Sequence, residues 1–266
     1  MDRQIIVTIA TQRSGTKFLC GCLNAGTLVR SVAECFQPGE PRRLFPTFLA
    51  GWFARHPEFD FRSAHMHALL GAFLDEMLAR SDRPILHFDV MYNNLGGFSG
   101  AWAWPPPGGG SLIAAVLRAR NLPIIHLVRD SPAECHASTL IAEHRGWHRR
   151  TALAEPDAAL RLVAEPRRAA REIRAILDAR DFVRRTFRRH PRLLELRYPD
   201  FIDGQRLAPA AQAGIAALLG LPADTPVAGA ADLRPTAPDK AQVIENWDEL
   251  VAIEATIRAE RAARRG

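Results

Sequence analysis

Residues 5–23 read IIVTIATQRSGTKFLCGCL. The run from Ile5 to Ala10 is β-branched and almost wholly apolar, and it stops at a polar loop. That is the pattern of a buried strand. Apolar residues resume at Phe18, at helical spacing. The stretch is therefore strand, tight loop, helix. Such a loop presents backbone N–H groups that lack intrahelical partners, at the positive end of a helix dipole, and so favours an anion. Gly15 permits close backbone approach. Ser14 and Thr16 add hydroxyl donors, and Arg13 and Lys17 add positive charge. A tight turn with no ligand is the plainer alternative. The crowding of cations and small donors into this loop weighs against it.

The first chemistry to test against the loop is ATP binding through GxxxxGK[ST]. No glycine precedes Gly15 at the required spacing, and Lys17 follows Thr16 instead of preceding it. A kinase also needs a magnesium ligand. ILHFD (85–89) ends in Asp89 and could supply one, so a P-loop kinase using Mg-ATP is the alternative reading.

Working outward, strands are expected at 4–10, within 27–39, and at 83–92, 122–130 and 192–201. Helices are expected at 16–26, 62–81, 112–120, 132–147, 156–189 with a break, 208–222, and from about Asn246 onward. Residues 93–110 are rich in Pro and Gly and read as an irregular loop, whose 103–110 part has the character of a surface insertion or lid. Strands alternating with helices imply an α/β fold with a central parallel sheet flanked by helices. The 266 residues suit a single domain, 1–266. At 47% hydrophobic and 24% charged residues, the composition is that of a globular protein. No run reaches the length of a membrane helix and no signal-peptide pattern opens the chain, so a cytoplasmic protein is expected.

The cysteines, Cys20, Cys22, Cys35 and Cys135, form no CxxC pair and read as buried thiols, with no metal site. The net charge of +6 is carried almost entirely by arginine, with Lys17 and Lys240 the only lysines. A nucleic-acid partner would suit that charge. No nucleic-acid motif accompanies it, and the basic residues of 166–190 read as a solvated helix.

A second anion motif follows the strand at 122–130. IIHLVRDSPAECHASTL (124–140) places Arg129 at the strand end and Ser138 nine residues later on the next helix. A guanidinium fork and a hydroxyl suit a phosphate dianion. The plainer alternative is an ion pair between Arg129 and a nearby acid such as Asp130.

QRSGTKFL (12–19) resembles the 5′-phosphosulfate loop of sulfotransferases, and Arg129 with Ser138 resembles their 3′-phosphate motif. HFDVMYNNL (87–95), LIAEHRGWH (140–148), LRYPDFI (196–202) and APDKAQVIENWDEL (237–250) resemble, in the same order, further segments of the bacterial carbohydrate sulfotransferases, the group containing trehalose, nodulation-factor and lipopolysaccharide-type enzymes. The resemblance covers most of the chain. It departs at Lys17, where a Ser or Thr is common, and near Met91, where a Lys is often found.

The resemblance implies a P-loop-like three-layer α/β sandwich and a donor, PAPS (3′-phosphoadenosine 5′-phosphosulfate), with PAP as product. It implies that Arg13, Ser14, Gly15, Thr16, Lys17 and Phe18 hold the 5′ side of the nucleotide, with Phe18 and Trp147 as candidates to stack on it, and that Arg129 and Ser138 hold the 3′-phosphate. Arg13 would also stabilise the transferred group. The general base is expected at Glu34 in AECFQPG (33–39), with Glu40 as rival. His126 reads as a packed core residue and His136 as a candidate substrate contact. Trp102 and Trp104 are candidates to face a sugar. The acceptor is expected to be a small-molecule or glycolipid hydroxyl, with no nucleic-acid partner and no integral membrane segment. The long helices leave a homodimer open. A relative that binds PAP without catalysis is a further reading.

Overall fold

The computed structural model describes residues 2–36, 44–97, 110–144, 160–232 and 239–264. In chain order the elements are β1 (Gln4–Ala10), α1 (Thr16–Ala25), β2 (Val29–Glu34), α2 (Leu44–Arg55), α3 (Ser63–Arg80), β3 (Ile85–Met91), α4 (Tyr92–Gly97), α5 (Leu112–Ala119) and β4 (Ile124–Arg129). They continue with α6 (Pro132–His144), α7 (Pro166–Thr186), β5 (Leu193–Tyr198), β6 (Ile202–Asp203), β7 (Arg206–Leu207), α8 (Pro209–Leu218), α9 (Lys240–Val243) and α10 (Trp247–Ala263). No helix among the described residues is long and apolar enough to cross a membrane.

The main sheet has five strands in the order β2-β3-β1-β4-β5, all parallel. Helices cover both faces. This is the P-loop-like three-layer α/β arrangement expected from the alternation of strands and helices. Along β1, Ile5, Val7 and Ile9 enter one core with Phe36, Phe45, Phe73 and Phe88. Ile6 and Ala10 enter the other, with Leu19 and Leu23 of α1 and Ile215 of α8. Burial on both faces is why β1 reads as a continuous apolar run.

The order of the strands locates the candidate site. From β1 the chain crosses to β2 on one side of the sheet, and from β4 it crosses to β5 on the other. The loops that leave the C-terminal ends of β1 and β4 therefore diverge between neighbouring strands, paired through Ala10 and Leu127. Such a switch point opens the crevice where α/β sheets bind ligands. Both anion motifs lie there.

Several boundaries move. Among the described residues, the helix expected over 156–189 with a break runs Pro166–Thr186. Pro166 opens it after the N-cap Glu165, whose carboxylate accepts from the amides of Arg167 and Arg168. Before it, Leu162 bridges to Ile244. The irregular stretch at 93–110 begins as part of α4. Helix α2 has no counterpart in the sequence reading. Its Phe45, Phe48 and Trp52 recur at helical spacing; Phe45 packs with Phe36 and Phe73, Phe48 with Phe73, and Trp52 with Phe48, a signal that Pro46 interrupts. Of the arginines of α7, three pair with acids of other elements or turns, while Arg167, Arg171 and Arg185 are exposed. Arg168 pairs with Glu143 and Glu172, Arg174 with Glu260, and Arg184 with Glu195.

Helix α10 is docked by one buried acid. Glu254 is 8% exposed. It accepts from the Ser131 hydroxyl at 2.7 Å and the Ala133 amide at 2.9 Å, supplying the N-terminus of α6 with a carboxylate. Arg258 holds its other oxygen at 2.7 Å. We expect Glu254→Ala to lower the unfolding free energy by about 2–3 kcal/mol, read from urea denaturation.

Candidate active site

The loop between β1 and α1 is curled by two residues in the left-handed region, Arg13 at φ 67 and Gly15 at φ 95. Alternating backbone of this kind converges N–H groups on an anion. The Ser14 hydroxyl donates to the Thr11 carbonyl at 2.6 Å, so it closes the loop. Helix α1 follows with no acidic residue in its first turn, and its positive dipole end keeps no carboxylate of its own. Thr16 is buried, Lys17 is exposed, and Phe18 is buried edge-on to Phe201 at 6.0 Å between centroids. Phe18 thus packs in the core beneath α1, not against an open crevice.

Gly15 is required here for two reasons. Its φ of 95 favours glycine. A Cβ would also stand 2.9 Å from Cδ2 of Tyr198 and 3.0 Å from Cζ of Phe201. The close neighbours of this backbone are aromatic rings from the end of β5.

Arg129, at the end of β4, ties this loop to the second motif. Its Nη1 donates to the Arg13 carbonyl at 3.0 Å. Its Nε and Nη2 lie 2.8 and 2.6 Å from one oxygen of Glu134. Its Cζ sits 4.5 Å from the centroid of the Tyr198 ring. Its own carbonyl accepts from Arg180 Nη2 at 2.6 Å. The side chain is 7% exposed. The ion pair is therefore with Glu134, not with Asp130. Ser138 is half-buried on α6, one turn beyond Glu134 on the same helical face.

Lys240 completes the cluster. It begins α9, is 8% exposed, and brings Nζ to 3.9 Å from the same Glu134 oxygen. Burial holds its pKa below the ordinary lysine value; Arg129 pushes the same way and Glu134 opposes it. Sequence reasoning did not assign Lys240 to the site. Its rarity, as one of the two lysines, was the signal that could have found it. Glu134 and Tyr198 were missed as well.

The expected base, Glu34, reaches the α1 side of the sheet through a β-bulge. Ser31 pairs with His87 and Glu34 with Asp89, so β2 carries one extra residue over this span. Ala33 takes φ 56 there. Without the extra residue, strict alternation would turn Glu34 to the opposite face. Glu34 is half-buried and electrostatically coupled to Arg13, whose pKa burial lowers and Glu34 raises.

Beneath α1 lies a buried polar layer. His87 is held by the Ser31 hydroxyl at Nδ1 and the Thr8 hydroxyl at Nε2, both at 2.7 Å. Burial drives its pKa down to about 3, so it is neutral. The Cys20 thiol donates to Asp89 at 3.2 Å. Burial pushes the Asp89 carboxyl up to about 7, and the charge of Glu34 adds to the rise. Cys20, His87 and Asp89 bring potential ligand atoms within 4.8 Å of one another, yet both ring nitrogens of His87 are already engaged.

His126 is buried, with Nε2 2.7 Å from the Tyr92 hydroxyl and Nδ1 3.2 Å from Glu195. His136, read as a substrate contact, is instead buried against α7, its Nδ1 2.7 Å from Glu172. Glu40, Trp102, Trp104 and Trp147 lie outside the described residues.

No family model matches the chain, and no curated protein does. Among solved structures, a sulfotransferase from Alicyclobacillus acidocaldarius is similar over 97% of this chain and 96% of that one, with 14% identity and a TM-score of 0.45. A likeness that distant carries no functional weight.

The buried acid sets a pH dependence. A carboxyl whose folded pKa is raised binds its proton more tightly when folded. Its contribution to stability is whole below about pH 4, the unfolded carboxyl range, and is lost as the pH rises through about 7. Asp89→Asn removes the titration. The stability of the variant relative to the wild type should therefore rise by about 3 kcal/mol from pH 5 to pH 8, in denaturant titrations at the two pH values.

Proposed function

We propose that this chain is a PAPS-dependent sulfotransferase, one domain that transfers a sulfuryl group to a hydroxyl on a carbohydrate or glycolipid. The observation that carries the reading is the hydrogen bond from Arg129 to the Arg13 carbonyl at 3.0 Å. It joins, in one crevice, the two anion motifs that the donor nucleotide requires together. The acceptor class rests on the sequence resemblance of the surrounding segments.

The residues fit such a donor. Helix α1 offers a dipole end with no acid in its first turn, preceded by a curled, glycine-containing loop. Arg129 and Lys240 offer two buried cations for the 3′-phosphate, with Ser138 on the adjoining helical face. When bound, PAPS supplies the activated sulfuryl group. The loop amides and Arg13 would offset the negative charge that gathers on the bridging oxygen as its bond to sulfur breaks. Preorganised donors of this kind are worth roughly 3–4 kcal/mol each in other enzymes. Glu34 would take the proton of the acceptor hydroxyl.

The kinase alternative needs an accessible, ionised magnesium ligand at the end of β3. Asp89 is 2% exposed, accepts from Cys20, and has its pKa raised to about 7. Those properties disfavour a hard cation and support the sulfuryl reading.

Calorimetry without magnesium should show PAP binding more tightly than AMP or Mg-ATP. Arg129→Ala should weaken PAP binding by roughly 2 kcal/mol, about thirtyfold. A preference for Mg-ATP would overturn the reading. Once an acceptor is found, Glu34→Gln should lower kcat by about 10²–10⁴ while leaving KM within a few-fold; an unchanged kcat would remove Glu34 from the role of base.

A further inference from the structure

Two buried cations and one half-exposed acid meet at a single oxygen. Arg129 lies 2.6 Å and Lys240 3.9 Å from Oε2 of Glu134. The cation side chains are 8% exposed each and that of Glu134 is 39% exposed. The cations are thus held by the protein, whereas the carboxylate has open solvent on one side. The fixed groups around Arg129 are the Arg13 carbonyl, the Tyr198 ring and Arg180, which holds its backbone.

We propose that Glu134 is an internal anion that fills the second anion site of the empty protein and has to swing out before a phosphate dianion can bind, which makes it a determinant of the charge the site accepts. The inference rests on the reading of Arg129 and Lys240 as a phosphate site.

The charge balance gives the reason. Among the three side chains that meet at this oxygen, the net charge with Glu134 in place is one positive. A dianion entering as Glu134 withdraws brings the cluster to neutrality. A dianion entering beside Glu134 leaves one net negative charge in a desolvated pocket, which is unfavourable. A monoanion that replaces Glu134 only restores the starting charge, so it gains little. The exchange therefore rewards a phosphate monoester dianion over singly charged groups. Burial and Arg129 lower the pKa of Lys240, while Glu134, Cys135 and Asp239 raise it.

The helix does not depend on Glu134 for its own charge. The N-terminus of α6 already has Glu254, which accepts from Ser131 and Ala133. Glu134 can leave without stripping α6 of its carboxylate.

The test compares Glu134→Gln with the wild type by calorimetry of PAP and AMP, and by thermal unfolding with and without inorganic phosphate. The variant should bind PAP about tenfold more tightly, while AMP, which lacks the 3′-phosphate, changes by no more than about threefold. Its ligand-free Tm should fall, and added phosphate should raise that Tm by more than it raises the wild type's. Weaker or unchanged PAP binding overturns the proposal, because it would make Glu134 a support that positions Arg129. If PAP binds to neither protein, the donor reading fails and the phosphate arm still decides. A larger phosphate shift in the variant sustains the internal anion, and an equal shift sinks it. Should Glu134→Gln not fold, Glu134→Asp, whose shorter arm keeps the charge but draws it back from Arg129, should show the same gains to a smaller degree, and their absence counts against the proposal.

Discussion

The bond from Arg129 to the Arg13 carbonyl is the constraint on which the site depends. Strands β1 and β4 are neighbours by sheet order, but their loops turn away from each other toward opposite edges. Left alone, two such loops would share a crevice without sharing a geometry. Arg129 fixes one against the other with a single N–H at 3.0 Å. Everything nearby serves to keep that guanidinium in place. Arg180 holds its backbone and Tyr198 lies against its face. Tyr198 also packs on Gly15, so the same ring braces both loops. A side chain larger than hydrogen at position 15 would press the loop away from Arg129.

A second constraint acts from below. The α1 face of the central strands is not uniformly apolar. Thr8, Ser31, His87, Asp89 and Cys20 form a buried layer of hydrogen bonds directly under the loop. Burying polar groups is favourable only when they are paired, and these pairs cross three strands and a helix. They specify the register of β1, β2 and β3 more sharply than apolar contacts could. The bulge at Ala33 belongs to this layer, because the extra residue that turns Glu34 toward Asp89 also ends the Ser31–His87 register. The fold thus places its candidate base by breaking its own alternation.

The sequence showed the fold plainly where periodicity was strong. The central strands β1, β3 and β4, buried on both faces, are continuous apolar runs, and the loop after β1 carries its own grammar of glycine, hydroxyls and cations. Both candidate anion motifs could be marked in the sequence, because each is a local pattern beside a strand end. What could not be read was long-range. Glu134 looked like an ordinary acid in a helix, since only the fold shows it between Arg129 and Lys240, which lie 111 positions apart in the numbering of the chain. Phe18 stood at a spacing that suits either a stacking ring or a core ring, and packing against Phe201 decided it. Helix α2 carried an aromatic face that a proline obscured, and the bulge at Ala33 had no glycine to announce it.

Under the proposed reading the two anion sites differ in physical kind, and the difference bears on what each can recognise. The candidate site at α1 is built mainly from backbone, a curled loop and a helix end with no acid in the first turn, with the Arg13 charge beside it. Backbone donors are fixed in number and carry only partial charge, so they suit an anion whose charge is shared or shifting. The site at Arg129 is built from whole charges, two cations facing one acid in a buried cluster. Whole charges in low dielectric respond steeply to the charge of a ligand, and so can count it. A nucleotide that carries a diester-like group at one end and a monoester dianion at the other presents each site with the kind of charge it is built to meet. Under the proposed reading the loop amides with Arg13 meet one end and Arg129 with Lys240 the other, so backbone donors and fixed cations can do without a divalent metal to bridge the two ends.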